Sequence, residues 1–185
     1  MPDPQLVVGL GNPGPGYEPT RHNVGQAVVD RLARRLGGRL HALGPAWLAE
    51  TAWAGHPVYL AKPTSFMNAV GADVAWLLRE LALAPRALII VYDDLDLPFG
   101  RVRIRHRGRH GGHRGVRSLL EALGTDAVRR VKVGIGRPAT RGEIVEWVLT
   151  DFTTEERDAL PEVLERAADA VLELAAHGQG GVSVL

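Results

Sequence analysis

The sequence predicts an α/β fold, in which a single domain forms three αβα layers around a central mixed β-sheet. Apolar segments of strand length alternate with amphipathic segments of helix length, with no repeat, low-complexity tract or linker between them. The segment Ala87–Tyr92 is apolar without alternation, which is typical of a central strand buried on both faces. A chain of 185 residues suits one domain, so we expect residues 1–185 to form a single unit.

The elements of the N-terminal half follow from short apolar runs and the turn residues between them. Gln5–Leu10 ends in Gly-Asn-Pro-Gly and is predicted to be a buried strand. Asn23–Leu36 has apolar residues at helical spacing and two glycines after it, which predicts a helix. Leu48–Trp53 and Val58–Ala61 are separated by Gly-His-Pro and are predicted to form a hairpin.

The elements of the C-terminal half begin with a helix that Thr64 or Ser65 can cap and that should run to about Leu81, before Pro85. After the buried strand, Arg101–Arg107 alternates strictly, so its four arginines should project from one face of a strand. The remaining predicted elements are a helix over Arg114–Leu123, a strand over Arg130–Ile135, and helices over Gly142–Leu149 and Thr154–Ala176, the last acidic on its exposed face.

Charge is strongly segregated along the chain, although the formal net charge is only +1. Residues 1–99 carry 8 basic and 9 acidic side chains, residues 100–141 carry 12 and 2, and residues 142–185 carry 2 and 10. The basic middle segment favours a polyanionic partner, most simply nucleic acid. The basic and acidic segments could equally pair with each other, and the charge pattern alone does not decide between these interpretations.

Composition excludes several classes of protein. The chain has no cysteine, so disulfides, thiolate catalysis and cysteine-ligated zinc or iron–sulfur sites are excluded. No apolar run approaches the ~18 residues that a bilayer crossing needs. The N-terminal sequence lacks the basic start and long apolar stretch of a secretory signal. We therefore expect a soluble cytoplasmic protein without membrane association.

The first strand ends in a glycine-rich turn, Gly9–Gly14. The turn superficially suggests a dinucleotide-binding fingerprint, but that motif opens directly into a helix, whereas Asn12-Pro13 interrupts this turn. The lysine of a P-loop is missing as well. Nucleotide-cofactor binding is therefore disfavoured, and the turn instead presents Asn12 at the carboxyl end of a central strand, where open α/β sheets bind ligands.

Polar side chains also follow other predicted strands. His22 precedes the first helix and has the residue type of a general base, although a capping or surface histidine fits equally well. Asn68 lies early in the second helix and, by itself, indicates only a turn. Asp93, Asp94 and Asp96 follow the buried strand, where they could bind magnesium, orient a histidine through one buried carboxylate, or form a solvated turn.

The glycine-rich segment Arg107–Gly115 precedes a predicted helix. Backbone N–H groups beside several arginines favour an anion site there. His110 and His113 have the spacing of a metal-binding pair, but flanking arginines would repel a cation and no carboxylate adjoins the pair in sequence. We expect no metal site in this segment.

These polar segments follow separate strands, so one edge of the sheet could gather Asn12, His22, Asn68 and Asp93. No serine lies in a nucleophile-elbow sequence, and cysteine is absent. The chemistry compatible with this set is general-base hydrolysis with water as the nucleophile.

The chain resembles the bacterial-type peptidyl-tRNA hydrolases over about residues 5–152, in six segments that occur in the same order: GLGNPGPGY, TRHNVG, KPTSFMN, DDLDLPFG, HGGHRG and VGIGRP. The resemblance implies hydrolysis of the ester between a peptide and the 3′ ribose of tRNA, which recycles tRNA from abandoned translation. It implies peptidyl-tRNA as the partner and no metal or organic cofactor, and we expect the protein to act as a monomer.

The resemblance assigns the catalytic roles by position. It makes His22 the general base that activates water, with Asp93 accepting the ring N–H and favouring the imidazolium that forms. Asn12 and Asn68 match the amides that hold the substrate and help to stabilise the oxyanion.

The resemblance also assigns residues that contact the substrate. Tyr17 and Met67 match residues that line the same cleft. Arg103 and Arg105 stand where the family places basic residues that contact tRNA, and Lys132 on the next strand matches another such position. The alternation of the arginine strand independently puts Arg103 and Arg105 on one face.

One position departs from the family's pattern, because Arg114 stands where members usually have asparagine. Arginine offers donors only, whereas an amide also accepts, so a role that needs an acceptor at this position is lost. We keep Arg114 as a predicted substrate contact and not as a catalytic residue.

The alternative function is a non-catalytic RNA-binding protein on the same fold, as some plant organelle relatives are. The joint presence of His22, Asp93, Asn12 and Asn68 argues against it, because binding alone does not need this set.

Overall fold

The computed structural model describes residues 2–178 of the chain. Its strands are β1 (Gln5–Gly9), β2 (His41–Leu43), β3 (Ala46–Trp53), β4 (His56–Pro63), β5 (Leu88–Asp94), β6 (Val102–Arg105) and β7 (Arg129–Gly134). Its helices are α1 (Val24–Leu36), α2 (Val70–Glu80), α3 (Arg114–Leu123), α4 (Ile144–Val148) and α5 (Thr154–Ala176). Short 3₁₀ turns precede α1, α2, β5 and α4.

The strands form one mixed sheet in the order β2-β3-β4-β1-β5-β7-β6. β1 is parallel to β4 and β5, and β5 is parallel to β7. The outer pairs β2–β3, β3–β4 and β6–β7 are antiparallel. The carboxyl ends of β1, β4, β5 and β7 therefore meet at the same edge of the sheet, as the sequence predicts for the polar segments.

Helices cover both faces of the sheet, so the prediction of a three-layer α/β fold is confirmed. Side chains such as Val7, Ile89 and Val131 pack against α1 and α5 on one face. Alternate residues such as Val8 and Ile90 pack against α2 and α3 on the other face. Because β5 is buried on both faces, its sequence has no polar alternation until the carboxyl end.

The start of α1 is set by a close approach of backbones. Gly25 lies directly over β5, where a side chain would overlap the carbonyl group of Val91, and Gly9 in turn faces Gly25. Only glycine permits this separation. It holds the start of α1, and with it His22, close to the carboxyl end of β5.

The structure differs from the predicted elements at the start of α2 and before the hairpin. Neither Thr64 nor Ser65 caps α2, because the backbone N–H and the hydroxyl of Ser65 both donate to the carboxylate of Asp73, at 2.9 Å each, and α2 begins only at Val70. The hairpin also has a third strand, β2, which precedes it. β2 has three residues and lacks a buried side chain, so it has no apolar pattern to identify it.

Among residues 2–178, no helix combines the length and the apolar composition that a membrane crossing needs. The predicted domain limits of 1–185 include residues 1 and 179–185, which lie outside the described residues.

Candidate active site

A cleft of about 570 Å³ opens at the edge where β1, β5 and β7 end. The residues that line it come from the turn after β1, the 3₁₀ turns before α1 and α2, the end of β5, the loop before α3, β7 with the turn that follows it, and α4. Of the predicted site residues, the cleft brings together Asn12, His22, Met67, Asn68, Asp93, Arg114 and Lys132.

Asp93 lies at the centre of the cleft floor, between two histidines. His22 Nδ1 is 2.8 Å from one carboxylate oxygen, and His113 Nε2 is 2.8 Å from the other. Asp93 is only 3% exposed, and the two imidazole rings are 4.9 Å apart. His113 comes from the N-cap of α3, so the arrangement joins α1, β5 and α3.

The hydrogen bonds fix the tautomers of both neutral histidines. The backbone N–H of Val116 donates to His113 Nδ1 at 3.3 Å, so His113 carries its proton on Nε2 and donates it to Asp93. His22 donates to Asp93 from Nδ1. When His22 is neutral, its Nε2 is therefore unprotonated, and this nitrogen has no partner among residues 2–178, as a general base requires.

The carboxyl group of Asp93 is held in its charged form. Burial by itself would raise its pKa, but the electrostatic attraction and the hydrogen bonds of His22 and His113 outweigh burial and keep the pKa well below its ordinary value. An ionised Asp93 stabilises an imidazolium on His22 when that ring takes up a proton.

Hydrogen bonds hold both the side chain and the backbone of Asn12 in place. Its side-chain oxygen accepts from the backbone N–H of Met67 at 2.7 Å. Asn23 fixes its backbone from both sides, accepting from Asn12 N at 2.9 Å and donating to Asn12 O at 2.8 Å. The remaining amide N–H groups of Asn12 are therefore available to donate to a substrate oxygen, and Asn68 lies beside them in the same cleft.

The two predicted cleft-lining residues have different positions. Met67 is 4% exposed, and its sulfur packs so closely on Gly115 that a side chain there would overlap it. Tyr17 does not lie in the cleft wall. Its ring packs edge-to-face on Phe66, with centroids 6.0 Å apart, and Phe66 lines the cleft. In the structure Tyr17 contacts the cleft through Phe66, and its assignment as a cleft residue stays a prediction.

Basic side chains continue from the cleft onto the edge of the sheet. Arg103 and Arg105 are exposed and alternate with half-buried Val102 and Ile104, as the sequence predicts. Lys132 lies opposite Arg103 across the β6–β7 pair, and its ammonium nitrogen is 3.7 Å from the carboxylate of Asp94. In the described part of the chain, neither Arg103 nor Arg105 forms an ion pair.

The acidic helix α5 pairs with the N-terminal third of the chain. Arg31 and Arg35 of α1 contact Glu165, and Arg35 also contacts Asp169. These contacts therefore argue against the interpretation in which the acidic C-terminal segment neutralises the basic middle segment. The arginines of β6 remain available to an external anion.

The three aspartates at the carboxyl end of β5 and just after it do not form one metal site. Asp93 is held by the histidines, Asp94 contacts Lys132, and Asp96 contacts Arg137 at 2.6 Å. The two histidines His110 and His113 also have different partners. His110 accepts from Gly112 N, whereas His113 is hydrogen-bonded to Asp93. No carboxylate adjoins this pair in sequence, but in the fold Asp93 contacts His113.

The ligand atoms of His22, Asp93 and His113 do lie within 4.8 Å of one another, a spacing that a metal ion could use. In this arrangement each carboxylate oxygen already accepts an imidazole N–H. A metal would have to displace both protons, and the hydrogen bonds alone account for the positions of all three groups.

Several features of the site have no signal in the sequence pattern. The role of His113 depends on the packing of α3 against β5. Asn23 appeared only as the start of a helix. α4 forms an apolar wall that includes Val145 and Leu149, and it is anchored by buried Arg21, whose guanidinium stacks 3.7 Å from the ring of Trp147.

Comparison with known proteins supports the same interpretation. The family model described as peptidyl-tRNA hydrolase matches residues 6–182. The peptidyl-tRNA hydrolases of Citrifermentans bemidjiense and Mycobacterium tuberculosis are 48% and 46% identical to this chain, over 90% and 96% of its length and 89% and 94% of theirs. A crystal structure of peptidyl-tRNA hydrolase from Acinetobacter baumannii has a TM-score of 0.87 at 32% identity, covering 95% of this chain and 90% of that one. Together with the six ordered segments, these matches place the chain in the bacterial-type peptidyl-tRNA hydrolase family.

Proposed function

We propose that this chain hydrolyses the ester between the peptide and the 3′-terminal ribose of peptidyl-tRNA, and so recycles tRNA from abandoned translation. The observation that carries the proposal is the pair His22–Asp93, which leaves His22 Nε2 unprotonated in the cleft of a chain that belongs to this family. The nucleophile is water, since the chain has neither a cysteine nor a serine in a nucleophile-elbow sequence.

His22 acts as the general base. Its Nε2 removes a proton from water as the water oxygen attacks the ester carbonyl carbon, and the ring becomes an imidazolium beside ionised Asp93. When the tetrahedral intermediate collapses, the bond to the ribose 3′ oxygen breaks and that oxygen takes up the proton. The products are a free peptide carboxylic acid and a tRNA with a 3′ hydroxyl.

Asn12 and Asn68 stabilise the negative charge that develops on the carbonyl oxygen. The side-chain oxygen of Asn12 accepts from Met67 N–H, which leaves the N–H groups of the same amide to donate into the cleft. A donor held in place before the reaction stabilises an oxyanion without reorganising during the reaction.

The apolar wall of the cleft suits the acyl part of the substrate. Five large apolar side chains among residues 2–178 are markedly exposed, and three of them, Phe66, Val145 and Leu149, line this cleft. Exposed apolar groups that cluster at one site indicate a binding surface. We assign this wall to the peptide and keep Tyr17 as support for Phe66.

The basic side chains suit the tRNA part of the substrate. Arg103, Arg105 and Lys132 form a continuous surface that leads into the cleft, and arginine binds phosphate through a planar fork of donors. Arg114 lies in the cleft wall and has no side-chain partner among residues 2–178, so it is available as a further substrate contact.

A single copy of the chain supplies the base, its orienting carboxylate, the amide donors and the basic strand. We therefore infer that the protein acts as a monomer, that residues 1–185 form one domain, and that the reaction uses neither a metal ion nor an organic cofactor. Its substrate locates the reaction in the cytoplasm.

The test is release of a labelled, N-blocked amino acid from aminoacyl-tRNA by the purified protein. His22→Ala should lower turnover by ~10² or more while leaving tRNA affinity nearly unchanged, because it removes the base but no phosphate contact. His56→Ala is the matched control and should retain activity, since His56 lies at the opposite end of the sheet, beside Asp3.

Two results would contradict the proposal. Full activity in His22→Ala would exclude the assigned base. Tight tRNA binding without release of the amino acid by the wild-type protein would instead indicate a non-catalytic RNA-binding protein.

A further inference from the structure

Arg130 is a buried cation inside the basic segment. Its side chain is completely buried, with 0% exposure, although it lies on β7 two residues before the half-buried Lys132. Among residues 2–178 it contacts no carboxylate. A buried charge without an opposite charge is costly unless neutral acceptors satisfy it fully, so the acceptors around Arg130 indicate why it is present.

The main-chain acceptors of Arg130 lie in the two chain segments that flank α3. The guanidinium donates to the carbonyl oxygens of Gly108 and Arg109, at 2.9 and 3.1 Å, which precede α3. It also donates to the carbonyl oxygens of Asp126 and Val128, at 3.3 and 3.1 Å, which follow α3. One planar side chain thus joins the chain segments that enter and leave this helix.

A fifth hydrogen bond links Arg130 to the strand that carries Asp93. Arg130 donates to the hydroxyl oxygen of Tyr92 at 3.4 Å. The ring of Tyr92 packs edge-on against His113, with ring centroids 5.0 Å apart. Arg130 therefore contacts the two neighbours that hold His113, namely the loop before it and the ring beside it.

We propose that Arg130 is a positioning residue that holds the N-terminal end of α3 and so fixes the hydrogen bond from His113 to Asp93. The loop between Arg109 and His113 contains Gly111 and Gly112, both at positive φ, and is exposed. Such a loop has little packing of its own to fix its path. The fork of five donors on a guanidinium suits this role, whereas a lysine would offer only three donors from one atom.

The simpler interpretation, that Arg130 is one of the cations that bind tRNA, does not fit its burial. A side chain with 0% exposure cannot contact a phosphate without local unfolding. A purely structural role remains the competing interpretation, and Arg129 provides the control for it. Arg129 is also buried, at 8% exposure, and donates to the main-chain carbonyls of Leu174 and Gly178 at the end of α5, away from the cleft.

The experiment compares Arg130→Gln and Arg130→Lys with Arg129→Gln in the full-length chain. The kinetic part rests on the proposed function and measures kcat and KM for N-blocked aminoacyl-tRNA, together with the salt dependence of binding. The second part is independent of activity, and follows the tautomer of His113 by NMR of ¹⁵N-labelled imidazoles. Thermal unfolding is recorded for every variant.

Arg130→Gln should lower kcat by roughly 10-fold to 100-fold, because small displacements of a catalytic group have effects of that size. KM and the salt dependence should change little, and His113 should lose its single Nε2-protonated tautomer. Arg129→Gln should lower the Tm without either effect. The kcat of Arg130→Lys should lie between those of Arg130→Gln and the wild type. If Arg130→Gln does not fold, Arg130→Lys is the variant that tests the proposal.

The proposal is overturned if a folded Arg130 variant keeps the His113 tautomer, or if kcat falls equally in Arg130→Gln and Arg129→Gln. If the wild-type protein releases no amino acid, the proposed function fails, and the NMR comparison still decides whether Arg130 fixes His113.

Discussion

A carboxylate as deeply buried as Asp93 remains charged only where hydrogen-bond donors surround it. Here each oxygen accepts from a different imidazole, and one of these donors, His113, is fixed by the first turn of a helix. His113 thus restricts the orientation of the carboxylate toward His22. An aspartate with one histidine partner would be freer to rotate, so His113 helps to fix the carboxylate that orients His22, the proposed base.

The pKa of Asp93 has a consequence for stability against acid. The folded-state pKa lies below the unfolded one, so the unfolded chain binds more protons as the pH falls. The contribution of Asp93 to stability is then complete above its unfolded pKa and declines as the pH falls toward the folded value.

Asp93→Asn should therefore have its largest effect on the free energy of unfolding above about pH 5, with a difference from wild type that shrinks progressively below about pH 4. Urea unfolding of both proteins between these conditions measures the difference, and the other carboxylates cancel because they are common to both. A difference that stays constant down to pH 3 would contradict the assigned cause.

At this scale the sequence predicted the residues of the centre better than their contacts. Asn12, His22 and Asp93 each follow or precede a recognisable element, so their convergence could be inferred from the topology. The role of His113 could not, because its spacing from His110 is typical of a metal-binding pair. Its partner is decided by how α3 packs beside β5, which no local pattern records.

The elements of the fold were predicted where burial imposes a pattern. β1 and β5 are continuous apolar runs, and α1 has one apolar face, so each was located within a few residues. α2 begins later than predicted because Ser65 is held by a side chain two turns further on, a contact that propensity does not contain. β2 was missed because an exposed edge strand of three residues needs no apolar pattern.

The strand β6 makes a testable contribution to binding. Arg103→Ala combined with Arg105→Ala should weaken tRNA binding and lower the slope of log affinity against log salt by about 1 for each lost phosphate contact. The measurement is a binding titration at several salt concentrations, which separates loss of phosphate contacts from loss of general stability.

Arg31→Ala combined with Arg35→Ala is the matched control. It removes the same charge from the surface that faces α5, where exposed ion pairs contribute little to stability. Its salt slope should equal that of the wild type. Equal slopes for the wild type and the β6 variant would place the tRNA on another surface.

Across the whole molecule, opposite charges lie on opposite sides. The acidic helix α5 pairs with α1 on one face of the sheet, while the basic residues of β6 and the cleft remain open. The small net charge is therefore the sum of an acidic surface and a basic surface, and the basic surface can attract a polyanion. The chain supplies this positive charge from its own side chains.

The reaction should for that reason persist after exhaustive chelation, with the rate unchanged within experimental error. In the proposed mechanism, proton transfer through His22 needs no metal, and arginine and lysine neutralise the phosphates. The measurement is release of the blocked amino acid after treatment with excess EDTA and removal of the chelate. If chelation abolished the activity and one divalent ion restored it, the result would contradict the general base. It would support instead a metal-activated water at His22, Asp93 and His113.

The position of β6 at the end of the sheet has a second consequence. An edge strand presents unpaired N–H and C=O groups to any other strand, and proteins keep such edges apart by placing charges on them. Arg103 and Arg105 do so here, because two copies that approached edge to edge would bring like charges together. Under the proposed function, affinity for RNA and resistance to self-association therefore depend on the same two side chains, and replacing both with apolar residues would weaken both properties at once.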